Sequence, residues 1–231
     1  PADRPRSPIP VINLLQHVRH GDPADPRYEF LPHRAIRICV SEAVAAAVTA
    51  TGRVNGPVHV IPNGIDLADL PPAATWSERV WDVLIVALKA PELGATLLQR
   101  LAGEGRRVRV LDAWMPRQAF LRALSESRVT LLLPHAAEGF YLPAIEAMAL
   151  GALVVCPDCV GNRSFCRPGA NCFQPAYTTQ DLVEKTLEML ALPRGPREAM
   201  LAEARRTAEN HDLRAERSAF LEILEDAARG W

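Results

Sequence analysis

Seven short apolar runs recur along the chain, and amphipathic helical patterns lie between most of them. The runs mostly lack alternation of apolar and polar residues, which is typical of strands that are covered on both faces. We predict strands at residues 11–15, 36–40, 58–61, 83–86, 108–111, 129–133 and 153–156. Strands that alternate with helices in this way indicate an α/β fold with mostly parallel, Rossmann-like sheets.

Capping and stop residues set the predicted helix ends. Ser41 is a suitable N-cap for the first helix, and Gly52 is its stop signal. Helices are predicted at residues 42–51, 94–102, from Pro116 onward, around Glu146, from Thr178 or Thr179 to 190, at 197–210 and at 212–228. Because no strand is predicted after Cys172, the chain is expected to end in a helical tail.

The last predicted helix carries Phe220, Leu221 and Leu224 on one face. An apolar stripe of this kind usually packs on another element, so we expect these side chains to be covered.

The pattern changes around the proline-rich segment 70–75. We predict a reduced or partial N-terminal domain at residues 1–63, a linker at 64–80 and a complete Rossmann-like domain at 81–210. A C-terminal helix at 211–231 is expected to pack back on the N-terminal portion. The first part has only three predicted strands and one clear helix, which is thin for an independent core.

Composition excludes several classes of protein. Of the 231 residues, 48% are hydrophobic and 23% are charged, as in ordinary globular proteins. The net charge of −1 does not favour binding to nucleic acid. No apolar run approaches the roughly 20 residues of a membrane span, and no secretory signal is visible. We therefore expect no transmembrane segment and a cytoplasmic location.

Four of the five cysteines, Cys156, Cys159, Cys166 and Cys172, have the spacing C-x2-C-x6-C-x5-C, which raises the question of a zinc site. However, Cys156 and the fifth cysteine, Cys39, both lie in predicted strands. Free cysteine is among the most buried residue types, so buried core thiols are the preferred interpretation. Zinc and a disulfide are the less favoured alternatives, and no metal site is predicted.

A strand–turn–helix segment carries two glutamates, Glu138 at the turn and Glu146 inside the helix, and the helix pattern ends at Gly151. In such a segment, backbone N–H groups and the positive end of the helix favour an anion. The two carboxylates can accept hydrogen bonds from hydroxyl groups beside that anion. The segment therefore predicts a ligand in which phosphates are flanked by sugars.

Residues 134–155 resemble the E-x7-E signature of retaining glycosyltransferases with the GT-B fold, most closely glycosyltransferase family 4. Both glutamates match, as do the Gly-Phe pair at 139–140, the Ala-Met-Ala at 147–149 and the Val-Val at 154–155. Tyr141 replaces a glycine and Leu153 replaces a proline. Residues 37–42 and 61–66 resemble the closing strand of the family's N-terminal domain and its interdomain linker. The resemblance implies two Rossmann-like domains with a nucleotide sugar in the cleft between them.

The resemblance also implies roles for the residues around the two glutamates. Glu146 is expected to bind the ribose hydroxyls and Glu138 the donor sugar near its anomeric carbon. The turn is expected to offer backbone N–H groups to the diphosphate, and it consists of Gly139, Phe140, Tyr141 and Leu142. Tyr141 is tolerable in place of glycine if its φ is negative.

Further donor contacts are expected from other loops. The family has two cations after the first C-terminal strand, and here only Lys89 is cationic. His17, with His20 behind it, is expected to face the donor sugar from the N-terminal side, and His135 stands where the family has serine. Asn162 and Arg163 are candidates for the sugar or phosphate, with a salt-bridged surface loop as an equal alternative. A solvated histidine is the alternative for His17.

The function that this resemblance implies is retaining transfer of a sugar from a nucleotide diphosphate sugar to a glycan, lipid or small-molecule acceptor. No Asp-x-Asp motif occurs, so the transfer is expected to need neither a metal nor a cofactor. Many members of this family act in bacterial polysaccharide or glycoconjugate synthesis, and the resemblance implies such a role here. The alternative is a nucleotide-sugar-binding module that is inactive without a complete N-terminal domain, which leaves a homo-oligomer or a partner domain open. The sequence contains no G-x-G-x-x-G for a nicotinamide cofactor and no G-x-S-x-G for a hydrolase.

Overall fold

Two parallel sheets organise residues 9–230, the part of the chain that the computed structural model describes. The first sheet has the order β1-β2-β3, with β1 at Ile12–Leu15, β2 at Ile36–Cys39 and β3 at Val58–Val60. The second sheet has the order β5-β4-β6-β7, with β4 at Trp81–Val86, β5 at Val108–Leu111, β6 at Ser127–Leu132 and β7 at Leu153–Val155. All pairings are parallel, so the predicted α/β class is confirmed, as are the seven strands, with small shifts at their ends.

Seven α-helices connect or follow these strands within the same residues. They are α1 Glu42–Thr49, α2 Pro91–Gly103, α3 Arg117–Ser125, α4 Leu142–Ala149, α5 Thr179–Leu190, α6 Arg194–Glu209 and α7 Leu213–Gly230. The predicted caps Ser41 and Thr178 are confirmed, since their hydroxyl oxygens accept backbone N–H groups at 3.3 and 3.2 Å. Two starts were predicted too late: α2 begins at Pro91 and α6 includes Pro196. The reason is that the first turn of a helix tolerates proline, whose missing N–H would have had no partner there.

The second sheet is covered on both faces. Side chains alternate along β4, so that Leu84 faces a cluster formed with α3, α4 and α6, whereas Val83 and Ile85 face a cluster formed with α2 and α5. All three side chains are fully buried. The continuous apolar runs of the sequence are explained by this double cover.

The first sheet has a thinner core. Its main cluster joins the sheet to α1 and includes Leu15, Cys39, Val44 and Val48. Strand β1 lies at the edge of this sheet, and Leu14 in β1 is 46% exposed. Two short 3-10 helices, Val18–Gly21 and Pro26–Phe30, follow β1 and were not predicted, because such short turns have no periodic pattern.

The five cysteines are free and buried, which confirms the interpretation as core thiols. Burial raises the pKa of both Cys39 and Cys159 to about 11. Within residues 9–230, no group of three or more His, Cys, Asp or Glu side chains is arranged to hold a metal ion.

None of the helices that lie between residues 9 and 230 is both long enough and apolar enough to span a membrane.

Helix α7 is joined to the segment between the two sheets at its first turn. The N–H of Leu213 donates to the carbonyl of Ile65 at 2.9 Å, and the N–H of Gly64 donates to Oε2 of Glu216 at 2.5 Å. Further along, Leu221 and Leu224 are 57% and 39% exposed, so the expected cover of the apolar stripe is wrong for these two side chains. The predicted domain boundaries remain a prediction, and residues 1–8 and Trp231 lie outside the described residues.

Candidate active site

The candidate site lies where loops of both sheets meet. Loops that follow β4, β6 and β7 leave the second sheet at the carboxyl ends of its strands, where ligands bind in open α/β sheets. The loop after β1 approaches them from the first sheet. This arrangement brings residues 16–20, 89, 135–146 and 157–163 into one region of the molecule.

The turn after β6 is fixed directly on the first sheet. Glu138 and His17 form an isolated antiparallel β-bridge, and Oγ of Ser41 donates to the carbonyl of Gly139 at 2.9 Å. A Cβ atom at position 139 would lie 2.0 Å from the backbone oxygen of Gln16. Only glycine allows this approach, so Gly139 holds the two sheets together at the site.

The carboxylate of Glu138 is paired with a cationic side chain. The ammonium of Lys89, in the loop after β4, forms an ion pair with Oε1 of Glu138. The Glu138 side chain is 16% exposed and that of Lys89 is 49% exposed. The structure thus brings together two residues that the sequence had assigned separately to the sugar and to the phosphate.

The carboxylate of Glu146 is paired with a second cationic side chain, which was not predicted from the sequence. Its side chain is 3% exposed, and Oε1 accepts a hydrogen bond from Nη1 of Arg117 at 2.5 Å. Arg117 is the first residue of α3 and lies 29 positions before Glu146. No local pattern marks such a pair, because the contact depends only on how α3 packs beside α4.

The turn before α4 agrees only in part with its predicted role. Tyr141 has φ −104°, so replacing the family's glycine produces no left-handed strain, as predicted. However, the N–H of Tyr141 donates to the carbonyl of Gly161 at 3.0 Å, and its side chain is buried. Tyr141 therefore does not offer its N–H to a diphosphate, which corrects that part of the prediction. Tyr141 is the N-cap residue of α4, and Pro143 lies in the first turn of this helix, where proline is tolerated.

The side chain of Phe140 has a structural position. Its ring lies 5.4 Å from the ring of Phe165 and 5.5 Å from that of His211, between centroids. It also contacts clusters of both sheets. Phe140 therefore connects the two sheets behind the turn, while a ligand in front of the turn would meet backbone.

The loop after β7 does not present the side chains that were predicted for it. Asn162 is fully buried, and its amide donates to the carbonyl of Pro157 at 2.8 Å and accepts the N–H of Cys159 at 3.1 Å. The predicted ligand contact of Asn162 is wrong, since its polar atoms already hold the loop. The guanidinium group of Arg163 forms a bidentate ion pair with the carboxylate of Asp158 at the surface, which fits the alternative of a salt-bridged loop.

His17 and His135 lie in the loops after β1 and β6, which meet at the site. The N–H of Arg19 donates to Nδ1 of His17 at 3.1 Å, and burial together with the charge of Arg19 lowers the pKa of His17. A neutral imidazole that accepts at Nδ1 carries its proton on Nε2, so His17 has a donor N–H there. His135 is exposed, and its Nδ1 accepts the N–H of Ala137 at 3.4 Å.

The sequence profile of the family described as glycosyl transferases group 1 matches residues 67–191, more than half of the chain. The chain belongs to the group 1 glycosyl transferases. The match covers most of the predicted linker, the whole second sheet and α5, and thus both signature glutamates and their cations. No curated protein sequence matches the chain.

Solved structures of glycosyltransferases resemble this group 1 glycosyl transferase in fold. The pneumococcal O-GlcNAc transferase GtfA in complex with UDP and GlcNAc is 14% identical, with a TM-score of 0.63 over 83% of this chain and 45% of that chain. The UDP-forming α,α-trehalose-phosphate synthase of Burkholderia vietnamiensis is 16% identical, with a TM-score of 0.73 over 96% and 67%. Anabaena Alr3699/HepE in complex with UDP and glucose is 16% identical, with a TM-score of 0.72 over 94% and 71%.

These similarities show the fold and the extent of the match. The fold is GT-B-like, with a Rossmann-like parallel sheet after a smaller N-terminal sheet and a helical tail. The chain spans about half the length of the pneumococcal transferase.

Proposed function

We propose that this chain transfers a sugar from a nucleotide diphosphate sugar to an acceptor, with retention at the anomeric carbon, as in glycosyltransferase family 4. The observation that carries this proposal is that both signature carboxylates lie on one strand–turn–helix segment and each holds a cation. The match of the group 1 profile to the same segment supports it.

Glu146 is proposed to bind the ribose hydroxyls. Its buried carboxylate is held at Oε1 by Arg117, and no other donor among residues 9–230 contacts it. Arg117 fixes the carboxylate and keeps a charge at this buried position paired. A carboxylate oriented in this way can accept two O–H bonds from a ribose.

Glu138 is proposed to lie beside the donor sugar. Its charge can stabilise the oxocarbenium-like transition state of glycosyl transfer. Two carboxylates alone would repel a diphosphate, but Lys89 and Arg117 balance them, and the N-terminus of α4 adds a partial positive charge. We therefore assign Lys89, and Arg117 in addition, to the neutralisation of the donor.

The remaining donor contacts come from backbone and imidazole groups. The N–H groups of Gly139, Phe140 and Leu142, at the turn and the start of α4, are proposed to donate to the diphosphate. His17 offers Nε2–H towards the sugar from the first sheet, and His135 extends the same side. The transfer is proposed to proceed without a metal, because the sequence has no Asp-x-Asp motif.

The first donors to test are uridine nucleotides, since two of the similar structures are complexes, one with UDP and GlcNAc and one with UDP and glucose. The proposal includes a cytoplasmic location and a role in bacterial glycoconjugate synthesis.

A second candidate function is a nucleotide-sugar-binding module that needs another domain for turnover. The small core cluster of the first sheet favours it, as does the match to only 45% of the pneumococcal transferase. The two candidates share the donor site and differ in whether this chain alone completes the transfer.

Glu138→Ala and Glu146→Ala test the proposal, with the exposed Glu184→Ala on α5 as the matched control. Calorimetry with UDP and UDP-sugars measures binding, and release of UDP in the presence of acceptors measures turnover. We expect Glu146→Ala to weaken UDP binding at least tenfold, about 1.4 kcal/mol, and Glu138→Ala to abolish turnover with UDP binding retained.

Binding and turnover that stay unchanged in both variants would overturn the proposal. Donor binding without turnover in the unaltered chain would favour the binding module. The anomeric configuration of the product, read by NMR, decides whether the transfer retains or inverts.

A further inference from the structure

A cavity of about 510 Å³ lies beside the loop that follows β1. Its polar lining consists of Asn13, Gln16, His17, Arg19, His20 and Arg27, and the rest of its wall is apolar. This volume is within the range of about 300–1,000 Å³ that small-molecule sites occupy. None of the four residues of the two carboxylate–cation pairs lines the cavity, and of the proposed donor contacts only His17 does.

The lining has an excess of positive charge. Among the described residues that line the cavity, two are arginines and none is acidic. Nε of Arg19 lies 3.2 Å from Oδ2 of Asp25, and Nη1 of Arg27 lies 3.6 Å from the same oxygen. Since one carboxylate serves two guanidinium groups, one positive charge is left without a counter-ion at this wall.

Asp25 also holds the two arginines in position. Its Oδ1 accepts the N–H of Arg27 at 2.8 Å and so caps the 3-10 helix Pro26–Phe30. Both arginine side chains are 54% exposed. Their N–H groups that do not face Asp25 can therefore reach a ligand without breaking the fold.

Two histidines add hydrogen-bonding groups to the same wall. His17 has its donor at Nε2, as derived above from the Arg19 contact at Nδ1. His20 is 7% exposed, and its Nδ1 is buried without a hydrogen-bond partner in the described part of the chain. This nitrogen is too deeply buried to contact a ligand directly, so among the two imidazoles it is His17 that presents a polar N–H at this wall.

The position of the cavity connects it to the transfer site. His17 lines the cavity and also forms the β-bridge with Glu138. A molecule in the cavity would therefore contact a residue whose backbone is bridged to that of Glu138. This is where an acceptor hydroxyl must arrive for transfer.

We infer that this cavity binds the acceptor and that the acceptor carries a phosphate group next to its reactive hydroxyl. The inference rests on the proposed function and assigns a chemical class to its second substrate. Two guanidinium groups match the several terminal oxygens of a phosphate, whereas a neutral sugar would leave the extra charge unused. The phosphate can belong to a soluble sugar phosphate or to a lipid headgroup.

Binding to the full chain saturated with UDP tests the inference. The soluble probes are inorganic phosphate, a hexose phosphate and the matching neutral hexose, measured by calorimetry. Vesicles of phosphatidylglycerol and of phosphatidylcholine test the lipid source by co-sedimentation. We expect the phosphate-bearing probe to bind at least about tenfold more tightly than its neutral counterpart, because a phosphate gains charge-assisted hydrogen bonds.

Three variants locate the binding. Arg19→Gln combined with Arg27→Gln should weaken the phosphate-bearing probe by about tenfold or more, since both charges are lost. Asp25→Asn should tighten it by about threefold, because the arginines lose their competing carboxylate while asparagine still caps the helix. Arg53→Gln is the control, since Arg53 pairs with Glu29 at 3.6 Å and lies over the Tyr28 ring, outside the cavity lining.

The outcomes separate this inference from the function on which it rests. If the unaltered chain binds neither UDP nor another nucleoside diphosphate, such as GDP or ADP, both are overturned. UDP binding with equal affinity for the phosphate and neutral probes would overturn the acceptor assignment alone. The same holds if Asp25→Asn fails to tighten binding, or if Arg53→Gln weakens it as much as the double variant. Binding of vesicles but not of hexose phosphate would support a lipid source, and the reverse a soluble one.

Discussion

The two parallel sheets have similar strands but different cover. In the second sheet, helices bury both faces, and the central strand β4 has fully buried side chains on each side. The first sheet has one main cluster, and its edge strand β1 leaves Leu14 half exposed. The glutamates proposed to bind the donor lie on the sheet with the complete core. His17 and the cationic cavity lie on the sheet with the thinner core, so the difference in cover coincides with the proposed division between donor and acceptor sides.

Each sheet also has one buried arginine that donates to three backbone carbonyls. Arg79 donates to Leu124, Ser127 and Leu150 at 3.4, 2.5 and 2.7 Å, and burial lowers its pKa to about 10. Arg37 donates to the carbonyls of residues 30, 31 and 33 at 3.0, 3.0 and 2.6 Å. The first arginine connects elements that are far apart in sequence, whereas the second closes one local turn.

The largest expected difference between the sheets is in core stability. Leu84→Ala should destabilise the fold by about 2–5 kcal/mol, because it removes a fully buried side chain that packs between the sheet and helices α3, α4 and α6. Leu14→Ala is the matched change on the first sheet and should cost less than about 0.5 kcal/mol, since this side chain is half exposed. Urea denaturation followed by tryptophan fluorescence measures both. Equal losses would show that the two sheets depend equally on their cores.

The buried arginines should differ next. Arg79→Met should destabilise the protein by about 3 kcal/mol, because three carbonyls in the interior lose a charged donor. Arg37→Met should cost about 1 kcal/mol, since Phe30 and His33 are exposed and water can replace the donor at their carbonyls. The measurement is the change in the free energy of unfolding. A larger loss for Arg37 would contradict the view that its contacts are local.

Two site residues should separate the donor side from the transfer side. Arg117→Ala should weaken UDP binding about tenfold, because Glu146 is left buried without its cation. His17→Ala should leave UDP binding unchanged and lower the turnover by about a hundredfold through loss of one N–H donor at the sugar.

Arg117→Lys is the control, since it keeps the charge and should restore part of the UDP affinity. Calorimetry and initial rates of UDP release give the two quantities separately. A fall in UDP affinity for His17→Ala as large as that for Arg117→Ala would remove the proposed division.

The smallest expected effect is a dependence of stability on pH in the mildly acidic range. Burial is the main cause that lowers the pKa of His17, His20 and His211 below the ordinary 6.5. A histidine with a lowered pKa contributes stability that is present above its unfolded pKa and lost as pH falls through its folded pKa. Stability should therefore be constant above about pH 7 and decline as pH falls below about 6.5.

Urea midpoints at several pH values check this expectation, and His20→Gln should reduce the decline. The acidic groups with lowered pKa values, such as Asp82 and Asp158, lose their contribution only below their ordinary 3.8. A change in stability between pH 5 and 6.5 therefore cannot be caused by the protonation of these carboxylates. If the free energy of unfolding does not change over that range, burial does not lower the pKa values of His17, His20 and His211.

Much of the fold follows from the sequence because its signals are local. The strands, the caps Ser41 and Thr178 and the glycine-to-tyrosine change at Tyr141 each depend on residues within one turn or one strand. Helices α2 and α6 start earlier than predicted, because Pro91 and Pro196 lie in their first turns and do not end a helix there. The 3-10 helices after β1, which build the cationic cavity, left no periodic signal at all.

The sequence by itself determined the α/β class, the group 1 signature and the positions of Glu138 and Glu146 on it. The tertiary structure decided which partners these carboxylates have: Lys89 lies 49 positions from Glu138, and Arg117 lies 29 positions from Glu146. It also turned Asn162 inward and placed His17 against Glu138. The physical reason is that periodicity and capping encode neighbours along the chain, whereas contacts between loops of two sheets depend on packing that no local pattern records.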